Sequence, residues 1–295
     1  MRAAIIAVTI GIALSAASTP ASAEIEWAQV DSVLERKGAE QPGGIHRYSF
    51  PRSDLKVTLD GVPIKPALAL GGWVAFEPMG DQAMMMGDLV LTEEEINPVM
   101  QRLVADGIEI TAIHNHLLRA TPATYYMHVL GHGDPTQLAT ALREGLVASK
   151  TPPAPTTTAS QASSIDLDTA MIDNALGVKG KVNGGVYQVS VPRAEAIKDS
   201  GMDVPPAMGS AIAINFQPTG GGKAATTGDF VLTSKEVNPV LRTLRENGIE
   251  VTALHSHMLD EQPRLFFMHF WAVNDAAKLA EGLNAALSKV NAKTN

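Results

Sequence analysis

The sequence predicts an α+β protein, built as a tandem duplication of a mainly antiparallel sheet with two helices per copy, the copies related by a pseudo-twofold. Three observations carry this. Residues 114–128 read HNHLLRATPATYYMH and residues 255–269 read HSHMLDEQPRLFFMH, so H-x-H followed by a third His recurs at an offset of 141. Further matches surround it: Pro51-Arg52 with Pro192-Arg193, Gly87-Asp88 with Gly228-Asp229, and GIEITAIHNH with GIEVTALHSH. Strand-like and helix-like segments also fail to alternate regularly, as an α/β fold would require.

The elements of one copy follow in order. HRYSF (46–50) and LKVTL (55–59) read as strands around a turn, the second closed by Asp60-Gly61. GGWVAFE (71–77) and MGDLVL (86–91) read as the next two. A helix spans about 93–105, with Thr92 and Glu95 as a capping box, matched by Thr233 and Glu236. Asn97-Pro98 offers a second start, Asn97 as N-cap and Pro98 at the first helical position. Gly107 ends the helix. IEITAIHNHLL is then a strand, Pro122 sits at a turn, and TYYMHVL returns. Asp134-Pro135 opens a last helix reaching about 148.

The 295 residues suit two domains, 27–148 and 165–290, each able to bury a core. Between them lies a Pro/Thr/Ser/Ala linker, 149–164. The first 23 residues read as a secretory signal, with Arg2, a short apolar run and the Ala21-Ser22-Ala23 cleavage site. This places the protein in the periplasm or outside the cell. With no cysteine there is no disulfide, thiolate ligand or lipid-bearing Cys. A net charge of −8 argues against nucleic acid as a partner, and no later segment is long and apolar enough to cross a bilayer.

Six of the eight histidines lie in the repeated pattern: His114, His116, His128, His255, His257 and His269. Two residues apart on a strand, His114 and His116 point the same way, about 7 Å apart. A hairpin centred near Pro122 puts position 128 opposite 116, so the three imidazoles of a copy share one face. Three neutral imidazoles suit a divalent transition metal, zinc first, with copper, nickel or iron as alternatives, and leave a position open for water or substrate. The competing reading is a set of sheet-face histidines held by hydrogen bonds. His46 and His132 have no counterpart histidine and read as incidental.

Other shared residues carry paired readings. Glu95 and Glu236 are a fourth ligand or general base, or simply the capping box. Asp88 and Asp229 serve a turn or a ligand set. Arg52 and Arg193 hold an anion or an ion pair. Tyr125-Tyr126 and Phe266-Phe267 read as packing, as does Met84-Met85-Met86, although thioethers also bind Cu(I).

Residues 228–287 resemble the repeated unit of the LppY/LpqO family, bacterial secreted proteins and lipoproteins grouped under a domain of unknown function. GDLVLTEEEINPV and AIHNHLL carry the same signature in the first copy. The family usually shows H-N-H, and Ser256 departs from it. The resemblance implies an envelope location but no activity. The histidine spacing is also similar to zinc sites of acetolactate decarboxylase and of a group of two-repeat zinc-dependent ester hydrolases, which implies a three-histidine metal site. Three functions follow: a metal-dependent hydrolase or lyase acting on a small-molecule or envelope ligand, a non-catalytic zinc- or copper-binding protein, or a ligand-binding module without metal.

Overall fold

The computed structural model describes residues 25–154 and 164–293. The signal reading and the middle of the linker lie outside them. All strand pairs are antiparallel, in two six-stranded sheets and two small ones.

The first half runs α1 (Trp27–Leu34), β1 (Ala39–Gln41), β2 (Ile45–Pro51), β3 (Thr58–Leu59), β4 (Val62–Pro63), α2 (Pro66–Ala69), β5 (Gly71–Met79), β6 (Gln82–Leu91), α3 (Glu93–Ala105), β7 (Glu109–His114), β8 (Tyr125–Gly133) and α4 (Pro135–Leu146). The second half runs α5 (Thr169–Leu176), β9 (Lys181–Asn183), β10 (Val186–Val191), β11 (Lys198–Asp199), β12 (Met202–Asp203), a 3-10 turn (Pro206–Met208), β13 (Ile212–Gly220), β14 (Lys223–Thr233), α6 (Ser234–Glu246), β15 (Glu250–His255), β16 (Glu261–Gln262), β17 (Leu265–Asp275) and α7 (Ala276–Leu287). The sheet orders β1-β2-β5-β6-β8-β7 and β9-β10-β13-β14-β17-β15 are the same arrangement twice.

Helix α3 starts where its capping box places it, with Thr92 as N-cap and Glu95 accepting the Thr92 N–H at 2.9 Å. Asn97-Pro98 therefore lies inside the helix rather than at its start. Asp134 caps α4 by accepting the Gln137 N–H. The sequence reading held two helices per copy. The structure adds α1 and α5, short segments that pack against α4 and α7, and single turns at α2 and at Pro206–Met208. LKVTL is not a strand of the main sheet, because only Thr58–Leu59 pairs, and with Val62–Pro63.

Each sheet buries its two faces differently. One face lies under its own helices, with Tyr48, Phe76, Met85, Leu89 and Leu142 in one cluster. The other is covered by an arm of the opposite repeat. Val57, Leu59, Ile64 and Leu68 of the first repeat pack with Val186, Ala225 and Trp271 of the second. Reciprocally, Ile197, Val204 and Met208 pack with Ile45, Ala75, Met84, Met86 and Leu130. Lys65 N–H donates to Gln217 Oε1 at 2.9 Å, and Gln217 Nε2 donates back to the Pro63 carbonyl at 2.7 Å. Strand alternation thus turns Met84 and Met86 to the partner repeat and Met85 to its own helices. All three lie in the core.

The same exchange explains the longest misreading. β7 stops at His114, and the segment after it leaves the sheet because Leu117 and Ala120 bury beneath the first repeat's arm. Thr121 then bridges to Thr58. No tight hairpin forms. His128 faces Ala112 rather than His116, and Tyr126 faces His114, past a bulge between Ile110 and Ala112. Residues early in the linker dock on the first repeat, Lys150 N–H donating to Glu95 Oε1 and the Pro152 carbonyl accepting from Arg36.

Candidate functional site

The six repeated histidines meet where the two repeats face each other. Their rings stack in a layer about the pseudo-twofold. His114 stacks on His255 with centroids 3.5 Å apart, His116 on His269 at 3.7 Å, and His128 lies at 3.6 Å from His257. Each closest contact between histidines joins one repeat to the other. Tyr126 closes one end against His116 at 3.3 Å, and Phe267 lies on His257 at 4.4 Å. The aromatic residues pack, as read, but against imidazole.

Backbone contacts lock this layer. Thr111 Oγ1 donates to the His257 carbonyl at 2.7 Å, and Thr252 Oγ1 donates to the His116 carbonyl at 2.6 Å. Each repeat's edge strand therefore positions the loop histidine of the other. Within a repeat, His114 Nε2 approaches His128 Nε2 at 2.7 Å, and His255 Nε2 approaches His269 Nε2 at 2.9 Å.

Both histidine triads among the ligand-bearing atoms span the repeats. His114, His128 and His255 form one triad and His114, His116 and His269 another, while Asp88 joins His116 and His128 in a third, all within 4.8 Å. The expected own-copy triads, His114-His116-His128 and His255-His257-His269, are not the groupings formed. His116 sits in a loop, and the inter-repeat stacking brings histidines of different copies closer than strand spacing would.

Asp88 and Asp229 enter the site because each is paired directly with a histidine strand, Asp88 opposite His128 and Asp229 opposite His269. The preceding glycines make room. A Cβ on Gly228 would lie 1.9 Å from the Ala213 carbonyl oxygen, and one on Gly87 2.6 Å from that of Trp73. Asp88 lies 3.9 Å from both His116 and His128. The doubled Gly-Asp pair was the sequence signal for it.

Glu95 and Glu236 belong elsewhere. Arg52, 1% exposed, donates to both Glu95 oxygens at 2.6 and 3.1 Å, to Asp54, and to the Val90 carbonyl. Arg193 repeats the pattern with Glu236, Glu195 and Val231. Burial alone would raise Glu95, but Arg52 and the N–H groups of Thr92 and Lys150 hold it below the usual range. Both glutamates are structural ion-pair partners rather than a base or a fourth ligand, and both arginines are occupied.

The site's electrostatics favour neutral groups. Burial, then the neighbouring His255, pulls His114 down to about 3, and burial pulls the other five histidines down too. Burial pushes Asp88 up to about 8, against the pull of Arg47, and Asp229 well up, Asp88 adding to it. His269 directs Nδ1 to the Gly228 carbonyl at 2.9 Å, which turns Nε2 inward. His116 Nε2, His128 Nδ1, His257 Nδ1, Asp88 Oδ1 and Asp229 Oδ1 are buried with no hydrogen-bond partner. Neutral imidazole lone pairs and orphaned carboxyl oxygens form the donor set of a zinc-like cation, bound at about 2.0–2.2 Å. The residues present fit such an ion.

A pH dependence follows. Histidines with folded pKa values below the unfolded value near 6.5 leave the unfolded chain binding more protons as pH falls. The two carboxyls act oppositely, since the folded state keeps their protons above the unfolded value. Six imidazoles outweigh two carboxyls in acid, and only the carboxyls act above about 6.5. Chelator-treated protein should be most stable near pH 6.5, lose stability steeply toward pH 3, and lose it mildly toward pH 8. Urea midpoints across this range test it, and a midpoint flat from pH 4 to 6.5 would contradict it.

Among the described residues, no helix is long and apolar enough to cross a membrane. No curated protein matches the chain. A solved structure, "Crystal structure of a trimeric bacterial microcompartment shell protein PduB", aligns at 12% identity over 86% of this chain and 89% of that one, with a TM-score of 0.22, too low to carry an argument. The family described as Domain of Unknown Function (DUF1259) matches twice, at residues 28–148 and 170–289. With both repeats matched over most of its length, the chain belongs to that family, as a protein carrying two copies of its domain.

Proposed function

We propose that this chain is a secreted or periplasmic metal-binding protein of the LppY/LpqO type, released from a leader at residues 1–23, with two domains joined through residues 149–164. Its metal centre is built between the repeats. One observation carries this reading: desolvated, neutral histidines from both copies meet, five of them in ligand groupings and His257 stacked beside them, with buried ring nitrogens and an Asp88 oxygen left unpaired. Hydrogen-bonded structural histidines would not leave these atoms orphaned.

The ion would be held by His114 with His128 and His255, or by His114 with His116 and His269. Zinc suits this donor set, with copper or iron as alternatives. When bound, such an ion supplies Lewis acidity and an activated water. The chain's own residues then do the rest of a hydrolase or lyase reaction. Tyr126 and Phe267 shield the rings from water, His269 is oriented by the Gly228 carbonyl, and Asp88 is the carboxyl placed to exchange a proton beside His116 and His128. A non-catalytic zinc- or copper-binding role is favoured instead by the tight stacking, which leaves the His116 side chain only 16% exposed.

Elemental analysis of protein purified without tag or chelator decides the main reading. About one or two equivalents of a transition metal are expected. No metal, with no uptake on titration, would overturn it.

A further inference from the structure

Strand register sets out one row of side chains across the first sheet. Trp73 on β5 pairs with Asp88 on β6, which pairs with His128 on β8. Directly paired residues share a face, at about 4.8 Å per strand. Arg47, on β2, pairs with Ala75, two residues along β5 from Trp73 and on the same face. Its guanidinium lies over the Trp73 ring, 3.7 Å from the centroid. A ring stacked on the guanidinium face leaves the in-plane N–H groups free to donate. One of them, on Nη1, donates to the Ala207 carbonyl at 2.8 Å, and among the described residues Arg47 has no ion pair and no other acceptor. Burial pulls this guanidinium down to about 10, with Asp88 the one charge opposing the fall.

The other end of this cluster reaches the histidines. A Cβ on Gly209 would lie 3.0 Å from the Trp73 ring and 3.7 Å from His257 Nε2. Gly209 therefore stands between the Trp73 ring and His257 of the histidine layer. The second repeat lacks these groups. Gln188 stands in place of Arg47 and donates to the Ala67 carbonyl, the counterpart of Ala207, while Ala213 pairs with Asp229 where Trp73 pairs with Asp88. A cation needed only to hold the repeats together would not be replaceable by Gln188 at the same contact. The charge and the aromatic ring occur together on one side only.

We infer that Arg47 and Trp73 form an anion subsite beside the histidine centre, which accepts a small carboxylate and gives the pseudo-symmetric site a single substrate-binding side. The inference rests on the metal-centre reading only for what the anion would do there. A planar carboxylate matches the guanidinium edge, with two parallel N–H donors to its two oxygens. The neighbouring Asp88 side chain is only 12% exposed, so the approach beside it admits a small anion rather than a polymer.

The test follows the indole N–H signal of Trp73 by NMR in the full chain, assigned through Trp73→Phe, during titration with acetate and with the neutral isostere acetamide. It is run on chelator-treated and zinc-replenished protein. Acetate should shift the signal saturably and acetamide should not. Arg47→Gln, which installs the residue the second repeat carries, should weaken acetate at least about tenfold while leaving metal content unchanged. Arg47→Lys, which keeps the charge, should lie between them. No saturable shift in the parent protein, or equal affinity in folded Arg47→Gln, would overturn the subsite. Zinc uptake without acetate binding removes the subsite and keeps the metal centre; arginine-dependent acetate binding without zinc uptake does the reverse.

Discussion

Replacing His116 and His257 together with Ala should abolish tight metal binding and leave most of the fold in place. His116 belongs to two of the three ligand groupings, and His257 stacks on His128, which belongs to the remaining one. The pair therefore removes one ligand directly and releases the ring that orients another. Losses of 10–100-fold in affinity are typical of an orienting partner alone, and a lost ligand adds to that. The fold survives because the carbonyls of residues 116 and 257, not their side chains, accept from Thr252 and Thr111. Metal content beside far-ultraviolet circular dichroism reads both halves of this expectation. Stoichiometric metal retained in the folded double variant would refute the ligand assignment. The reach of single changes is also informative. His255→Ala alters only the second copy's sequence, yet should weaken the first copy's site, because His255 completes the triad of His114 and His128.

Arg52→Ala should destabilise the protein by about 3–5 kcal/mol, the range for breaking a buried ion pair from one side. Arg52 joins β2, the end of β6, and the start of α3 through the Val90 carbonyl, Asp54 and Glu95. Its removal strands the Glu95 carboxylate, which also accepts the N–H groups of Thr92 and Lys150. Replacing Arg52 and Glu95 together by Met and Leu should cost less than Arg52→Ala alone, since no buried charge is then left uncompensated. Chemical denaturation of the single and double variants separates these outcomes. A single variant within 1 kcal/mol of the parent would show that the cluster is replaceable. Metal content should stay constant throughout, because this network lies outside the histidine layer.

The legibility of the site varied with the distance over which each residue acts. The histidines and the Gly-Asp pairs repeat at an offset of 141, so internal comparison exposes them without any structure. Thr92 and Glu95 were visible as a capping box, and their local bond is the one formed. An ion pair for Arg52 was readable but its partner was not, because Glu95 stands 43 residues away and either glutamate role fits the same motif. Arg47 and Trp73 left no signal either, since the second repeat lacks them and comparison between copies selects what both retain.

By itself the sequence determined the duplication, the antiparallel α+β class, the position of α3 and its cap, and the set of histidines, because periodicity, capping and repetition act within a few residues or between aligned copies. Only the tertiary structure decided how those histidines combine. The register of β7 against β8 yields to the burial of Leu117 and Ala120 under an arm, and that arm in turn covers the opposite sheet. The triads join residues 114 and 255, and 116 and 269, through packing between sheets. Nothing in the local pattern of either copy encodes such contacts, because their energy comes from apolar surface that each repeat can bury only against the other.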